Sequence, residues 1–194
     1  MTESSDELPE EEHVTERCRN AIVMGVSGVG KTTVAERLVE AFGGHFLEGD
    51  RFHPERNIRA MSSGIPLTDE HRWEWLARIA EAVTALNAES SAPAFIACSA
   101  LKRRYRDFLR ERMGAFALIF LDGEREVIRS RLAVRKGHFM PATLLDSQFD
   151  TLEPPDLLQE KPICRIDVAP SVEQVVREAI PFCRRHLIGI SERE

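Results

Sequence analysis

Short apolar runs alternate along the chain with longer segments in which apolar residues recur every three or four positions. The runs predict five buried strands, at 20–24, 45–48, 94–98, 116–121 and 163–168. Helical spacing predicts helices over 31–42, from 69 to at least 83, over 102–112 and 124–135, and after 171. A short helix or loop is predicted near 54–64, and a short helix before 152. Strands that alternate with helices are typical of a parallel sheet covered on both faces. The sequence therefore predicts an α/β fold with a five-stranded parallel sheet sandwiched by helices.

The bulk properties fit one globular domain. The chain has 194 residues, of which 43% are hydrophobic and 30% are charged, and it contains no internal repeat. Its longest apolar run, Ala115 to Leu121, is too short to cross a bilayer. The N-terminus is acidic and lacks the basic and apolar segments of a secretory signal. We therefore expect a cytoplasmic protein without membrane contact.

The net charge of -6 is concentrated at the N-terminus, because residues 1–16 contain seven acidic residues and no lysine or arginine. The remainder carries about +1 (-6 plus 7), so no basic surface is predicted for nucleic acid. Few apolar residues and high charge predict that 1–17 form a disordered acidic tail and 18–194 a single domain. The four cysteines (Cys18, Cys98, Cys164 and Cys183) are scattered, which favours buried or half-buried free thiols in a reducing compartment.

The strongest motif is a phosphate-binding loop. Residues 25–32 read GVSGVGKT and match GxxxxGK[ST] at every fixed position, between a predicted strand and a predicted helix. In such a P-loop, backbone N–H groups face the phosphates, Lys31 reaches their oxygens and the Thr32 hydroxyl binds Mg²⁺. We therefore predict a P-loop NTPase fold that binds ATP and Mg²⁺. The predicted nucleotide-binding residues of the loop are Gly25, Val26, Ser27, Gly28, Val29, Gly30, Lys31, Thr32 and Thr33.

A P-loop alone does not define the reaction. A GTPase would need a guanine-reading NKxD segment, and a protein kinase would need HRD, DFG and APE motifs. The sequence contains none of these. A compact ATPase and a small-molecule kinase remain.

Three further segments resemble the gluconate kinase (gluconokinase) family of small P-loop kinases. They are GDRFHPERNIRAM from residue 49, which continues the pattern through Arg72 and Trp75, CSALKRRYRDFLR from residue 98, and RLAVRKGHF with SQF and LE from residue 131. The resemblance covers about 20–168. It implies ATP-dependent phosphorylation of D-gluconate to 6-phospho-D-gluconate, which feeds the pentose phosphate and Entner–Doudoroff routes. It also implies a nucleoside-monophosphate-kinase or shikimate-kinase-like fold with a lid at about 131–150, and it allows a homodimer, since relatives are commonly dimers.

The resemblance also suggests roles on the acceptor side. Asp50 is expected to orient and deprotonate the attacking hydroxyl, or alternatively to hold Mg²⁺ through water or cap a helix. His53 and Asn57 are expected to hydrogen-bond sugar hydroxyls, with a structural histidine as the alternative for His53. Lys102 and Arg106 are expected to provide positive charge for the gluconate carboxylate.

In the lid, Arg131 and Arg135 are expected to close onto the phosphates, with surface salt bridges as the alternative. Lys31, Asp50 and Arg135 are the predicted catalytic residues, Arg131 is predicted to bind the nucleotide, and His138 is predicted to bind substrate.

Two positions depart from simple motif reading. Asp122 follows an apolar strand as a Walker B acid would, yet relatives do not require an acid there, so we expect only a strand-end residue. Val29 stands where relatives usually have a small residue.

Two other functions stay open on the sequence: another small-acid kinase of this fold, for shikimate or a different aldonate, and a non-catalytic nucleotide-binding regulator.

Overall fold

The structure is a computed structural model that describes residues 17–134 and 142–190. Within these ranges the strands are β1 (Asn20–Met24), β2 (His45–Glu48), β3 (Ala94–Ala97), β4 (Phe116–Asp122) and β5 (Ile163–Asp167). The helices are α1 (Lys31–Phe42), α2 (Glu55–Ser62), α3 (Asp69–Glu89), α4 (Arg103–Met113), α5 (Arg125–Val134), α6 (Ala142–Thr151) and α7 (Val172–His186), with a 3₁₀ turn at Gly49–Phe52. Residues 1–16 lie outside the described ranges, so the division into an acidic tail and one domain stays a prediction.

The five strands form one parallel sheet in the order β2-β3-β1-β4-β5. β1 is central and pairs with β3 on one side and β4 on the other. Because all strands run in the same direction, their carboxyl ends lie along one edge, where α/β sheets bind ligands. The loops after β1, β2 and β3 therefore meet in one crevice. The predicted fold class is confirmed.

Residues of β1 contribute alternately to two apolar layers. Ala21 and Val23 belong to a buried cluster with α1 and α7, whereas Ile22 and Met24 belong to a cluster with α3 and α4. Both faces of the strand are buried, so its sequence is continuously apolar rather than alternating. The packing of both apolar layers holds β1 in place, and the site residues come directly after the ends of such strands.

Helix ends coincide with the local signals in the sequence. α1 ends at Phe42 and is followed by the cap residue Gly43, whose φ of 71° is in the left-handed region that glycine tolerates best. Ser171 precedes α7, and its hydroxyl accepts a hydrogen bond from the Gln174 N–H, as an N-cap residue does. The segment 54–64, predicted as a short helix or loop, contains α2.

α3 is the longest helix, with 21 residues. It buries Trp75, Leu76 and Ile79 against the sheet. No helix in the described ranges combines the length and the apolar character needed to span a bilayer.

Candidate active site

The P-loop lies between β1 and α1, as the motif predicts. Gly25, Gly28 and Gly30 have φ values of 143°, 82° and 105°, a region that side chains rarely adopt. A Cβ atom on Gly25 would lie 2.6 Å from the Leu121 carbonyl oxygen at the end of β4, so a side chain there would clash. The glycines therefore let the loop curl tightly against the sheet and lead into the N-terminus of α1, an arrangement that suits phosphate.

Two side chains of the loop already have protein partners. The Lys31 Nζ donates to the Val26 carbonyl oxygen at 3.0 Å, so the ammonium group folds over its own loop. The Thr32 hydroxyl donates to the Glu48 carboxylate at 2.6 Å. Glu48 ends β2, and sequence reasoning did not single it out. Its position just before Gly49-Asp50 was the available signal.

A pocket opens beside the P-loop, and we call it the acceptor pocket. It contains the ionisable residues Lys31, Asp50, His53 and Arg72, together with Ser27, Trp75, Ser99, Tyr105, Leu144, Ser147 and Gln148. These residues come from the P-loop, the segments after β2 and β3, and helices α3, α4 and α6. The structure thus brings the predicted residues Lys31, Asp50 and His53 into one crevice.

His53 is held as a neutral hydrogen-bond donor at the wall of this pocket. Its ring stacks on Trp75 with 4.3 Å between centroids, and only 8% of the residue is exposed. This burial, together with the Arg72 charge, outweighs the attraction of Asp50 and lowers the pKa of His53 to about 4. Asn57 Nδ2 lies 3.3 Å from His53 Nδ1, so Nδ1 accepts and the ring hydrogen is on Nε2. Nε2 lies 4.0 Å from the Asp50 carboxylate.

Asn57 itself does not reach the pocket. The residue is fully buried, and its Nδ2 donates to His53 Nδ1 and, at 2.8 Å, to the His71 carbonyl oxygen. Asn57 is not among the residues that line the pocket, so its direct contact with a sugar hydroxyl stays a prediction. Asn57 orients the His53 ring through its hydrogen bond to Nδ1.

The structure does not place Arg106 at the pocket either, because its guanidinium is fully buried and occupied. Nε and Nη2 donate to the two Glu160 carboxylate oxygens at 2.6 and 2.9 Å, and Nη1 donates to the Ala100 and Leu101 carbonyl oxygens at 3.0 and 3.1 Å. Burial disfavours the charge of Glu160 and by itself would raise its pKa. The hydrogen bonds from Arg106 and from the Asp156 backbone N–H, together with the charges of Arg106 and Arg110, outweigh this effect and lower the pKa of Glu160 to about 2. Arg106 therefore has no free edge for a substrate carboxylate.

Lys102 lies outside the residues that line the pocket. Its Nζ is 3.0 Å from the Asp69 carboxylate, which also accepts from Tyr105 and Arg104. Besides Lys31, the pocket is lined by the cation Arg72 on α3, whose Nη1 donates to the Tyr105 hydroxyl at 3.3 Å. The resemblance included Arg72 in its pattern but gave it no role. Substrate binding by Lys102 stays a prediction.

Near the predicted lid, Arg131 lies against the loop after β5. Its Nη2 donates to the Val168 carbonyl oxygen at 2.5 Å. Arg135 and His138 lie outside the described residues, so their predicted roles stay predictions. Asp122 pairs with Arg165 on the neighbouring strand β5 at 2.5 Å, which agrees with its prediction as a strand-end residue.

The role of Arg106 can be tested by Arg106→Met. We expect the free energy of unfolding to fall by about 3–5 kcal/mol, because Glu160 would keep a buried charge without its main partner. Urea unfolding measures this loss. Arg103→Met on the exposed side of the same helix is the control and should stay within about 0.5 kcal/mol of the parent. Unchanged stability with lost affinity for a sugar acid would instead favour the original prediction.

Comparisons with known proteins agree with this geometry. Residues 21–155 match the AAA domain family. The thermosensitive gluconokinase of Escherichia coli (strain K12) is 41% identical over 171 residues, which cover 88% of each chain. A solved gluconokinase from Sinorhizobium meliloti 1021 is 47% identical with a TM-score of 0.76, covering 88% of this chain and 94% of that one. A solved sugar kinase from Janibacter sp. HTCC2649 is 44% identical with a TM-score of 0.80, covering 86% and 95%. The chain therefore belongs to the gluconokinase family, within the P-loop fold that its phosphate loop and parallel sheet define.

Proposed function

We propose that this chain transfers the γ-phosphoryl group of ATP to D-gluconate and forms 6-phospho-D-gluconate, with Mg²⁺ bound to the nucleotide. The observation that carries the proposal is a pocket that opens onto the P-loop lysine and also contains a second cation, Arg72. A triphosphate and a sugar acid are both anions, so a site that joins them needs positive charge for each. The family membership supports gluconate as the acid.

The nucleotide end uses the P-loop. Its N–H groups and Lys31 bind the phosphate oxygens and neutralise charge that develops during transfer. Thr32 and Glu48 have oxygen atoms 2.6 Å apart, and Asp50 follows two residues after Glu48. Hydroxyl and carboxylate oxygens are the ligands that Mg²⁺ prefers, directly or through its water shell. Thr32 and Glu48 would therefore hold the ion, with Asp50 as an alternative ligand through water, and the ion would supply positive charge that neutralises the phosphates.

At the acceptor end, Asp50 orients the primary hydroxyl of gluconate and takes its proton. The hydroxyl oxygen bonds to the γ-phosphorus while the bond from that phosphorus to the β-phosphate oxygen breaks, so ADP leaves. His53 donates its Nε2 hydrogen to a sugar hydroxyl and adds no charge of its own, because its pKa is about 4. Arg72 pairs with the carboxylate, which replaces the role first predicted for Arg106.

Other features of the function rest on the sequence and the family. Four free thiols, three of them buried, suit a reducing cytoplasm, where ATP is also made. A homodimer, closure of Arg131 and Arg135 onto the phosphates, and substrate binding by His138 stay predictions.

The proposed reaction is tested by coupling ADP release to NADH oxidation with gluconate, shikimate and a panel of other aldonates. We expect gluconate to give the highest kcat/KM, since the family name and the pocket charge both point to it. Higher activity with shikimate would contradict the substrate. The absence of acid-stimulated ADP release would favour the regulatory alternative.

Asp50→Asn tests the catalytic role of the aspartate. We expect kcat to fall about 100-fold or more, because the amide cannot accept the hydroxyl proton. The Kd for ATP, measured by calorimetry, should change less than about twofold if the residue acts in the chemical step. Asp107→Asn on the exposed face of α4 serves as the control and should keep full activity. Equal losses in kcat and ATP affinity would contradict proton transfer and favour a role in holding Mg·ATP.

Arg72→Met tests recognition of the carboxylate. The KM for gluconate should rise roughly 10- to 100-fold, which corresponds to the 1.5–3 kcal/mol typical of a charged hydrogen bond. The KM for ATP should hardly change, because the P-loop is intact. Arg104→Met provides a matched loss of charge, since Arg104 pairs with Asp69 and does not line the pocket. A larger effect from Arg104→Met than from Arg72→Met would overturn this assignment.

A further inference from the structure

Gln148 on α6 forms two hydrogen bonds with Ser27 of the P-loop, 121 residues away. The Ser27 backbone N–H donates to Gln148 Oε1 at 2.7 Å, and Gln148 Nε2 donates to the Ser27 hydroxyl oxygen at 3.2 Å. Both residues line the acceptor pocket, where it opens onto Lys31. We propose that Gln148 is a positioning residue that turns the Ser27 hydroxyl hydrogen toward the phosphoryl group in transfer. The inference rests on the proposed phosphoryl transfer to gluconate.

The direction of both bonds follows from chemistry. A backbone N–H can only donate, so the side-chain atom that faces it must be the Gln148 oxygen. This fixes the orientation of the amide and leaves its NH₂ group opposite the Ser27 hydroxyl. The NH₂ group can only donate, so the hydroxyl oxygen must accept.

A hydroxyl oxygen that accepts from one side still has its own hydrogen to donate. Among the described residues, no hydrogen bond is found in which the Ser27 hydroxyl is the donor. Ser27 lies in the loop that holds the phosphates and faces the pocket that holds the acceptor. The group with spare acceptor capacity at that junction is the γ-phosphoryl oxygen, whose charge is redistributed during transfer. A donor fixed there before the reaction needs no reorganisation when the charge develops.

Salt bridges hold α6 in the position from which Gln148 acts. Asp146 accepts from Arg125 at 3.0 Å and from Arg129 at 2.9 Å, both on α5. Asp146 and Gln148 are two residues apart and so lie on different sides of the helix. One side of α6 is thus attached to α5, while Gln148 on another side reaches the P-loop.

The test compares the Ser27→Ala, Gln148→Leu and double variants in steady-state kinetics with MgATP and gluconate. Ser27→Ala removes only the hydroxyl, and Gln148→Leu removes its orienting partner with little change in volume. Each should lower kcat about tenfold, the factor that corresponds to about 1.4 kcal/mol, with KM values for ATP and gluconate within about threefold of the parent. The double variant should be no worse than about tenfold, because both changes remove the same donor. A hundredfold, additive loss would overturn the proposal.

Gln148→Glu separates positioning from mere support of the loop. The new carboxylate still accepts from the Ser27 N–H, so the melting temperature should stay within a few degrees of the parent. It has no hydrogen to donate, so the Ser27 hydroxyl would point to it and away from the phosphoryl group, and kcat should fall at least tenfold. Parent-like kcat in this variant, or a lower melting temperature in Gln148→Leu with parent-like kcat in Ser27→Ala, would show that the contact is only structural.

Asp150→Asn is the control for general disturbance of α6, because Asp150 is exposed and pairs only with Arg125 among the described residues. It should keep the parent kcat. Failure of the proposed function is a separate outcome, since the unmodified chain would then not phosphorylate gluconate. The same variants would then be compared with the acid that the unmodified chain does phosphorylate.

Discussion

The parallel direction of the strands is the constraint on which the site depends. With β1 at the centre and both neighbours parallel to it, the loops that follow β1, β2 and β3 have to emerge at the same edge of the sheet. The P-loop fits there only because Gly25 lets the backbone pass close to the Leu121 carbonyl oxygen. Thr32 then meets Glu48, and the phosphate-binding loop joins the acceptor segment.

The charges of the crevice suit two anionic substrates that must approach each other. Lys31 and Arg72 supply positive charge, and Asp50 is the anion that lines the pocket with them. A protonated His53 would add a third cation beside Asp50, but burial against Trp75 keeps the ring neutral. The histidine therefore does not alter the charge balance of the crevice.

The sequence predicted the parts of this arrangement that depend on neighbouring residues. The strand and helix bounds, the glycine turns and the P-loop are encoded within a few positions of one another, and the structure reproduces α1 at Lys31–Phe42 to the residue. Contacts between distant segments were not predictable in this way. Ser27 meets Gln148 over 121 positions, and Arg106 meets Glu160 over 54. Periodicity does not show which partner a polar side chain will find after folding.

The position of Arg106 shows how a residue of a family motif can support a site without lining its pocket. α4 contains several arginines, and a count of charges could not distinguish the one that is buried. In the structure, the Arg106–Glu160 pair holds the carbonyl oxygens of Ala100 and Leu101. Ala100 has a φ of 38°, the single positive value outside glycine in the described ranges, which is costly for a residue with a Cβ.

That strain persists because the buried ion pair fixes both carbonyl groups at once. The strained turn presents Ser99 and Leu101 to the acceptor pocket. Arg72 lies on the pocket wall, where it can contact a substrate directly. Arg106 does not line the pocket and acts through the carbonyl groups of Ala100 and Leu101. Both arginines lie in segments that resemble the family, but only the structure shows that Arg106 is buried and that Arg72 lines the pocket.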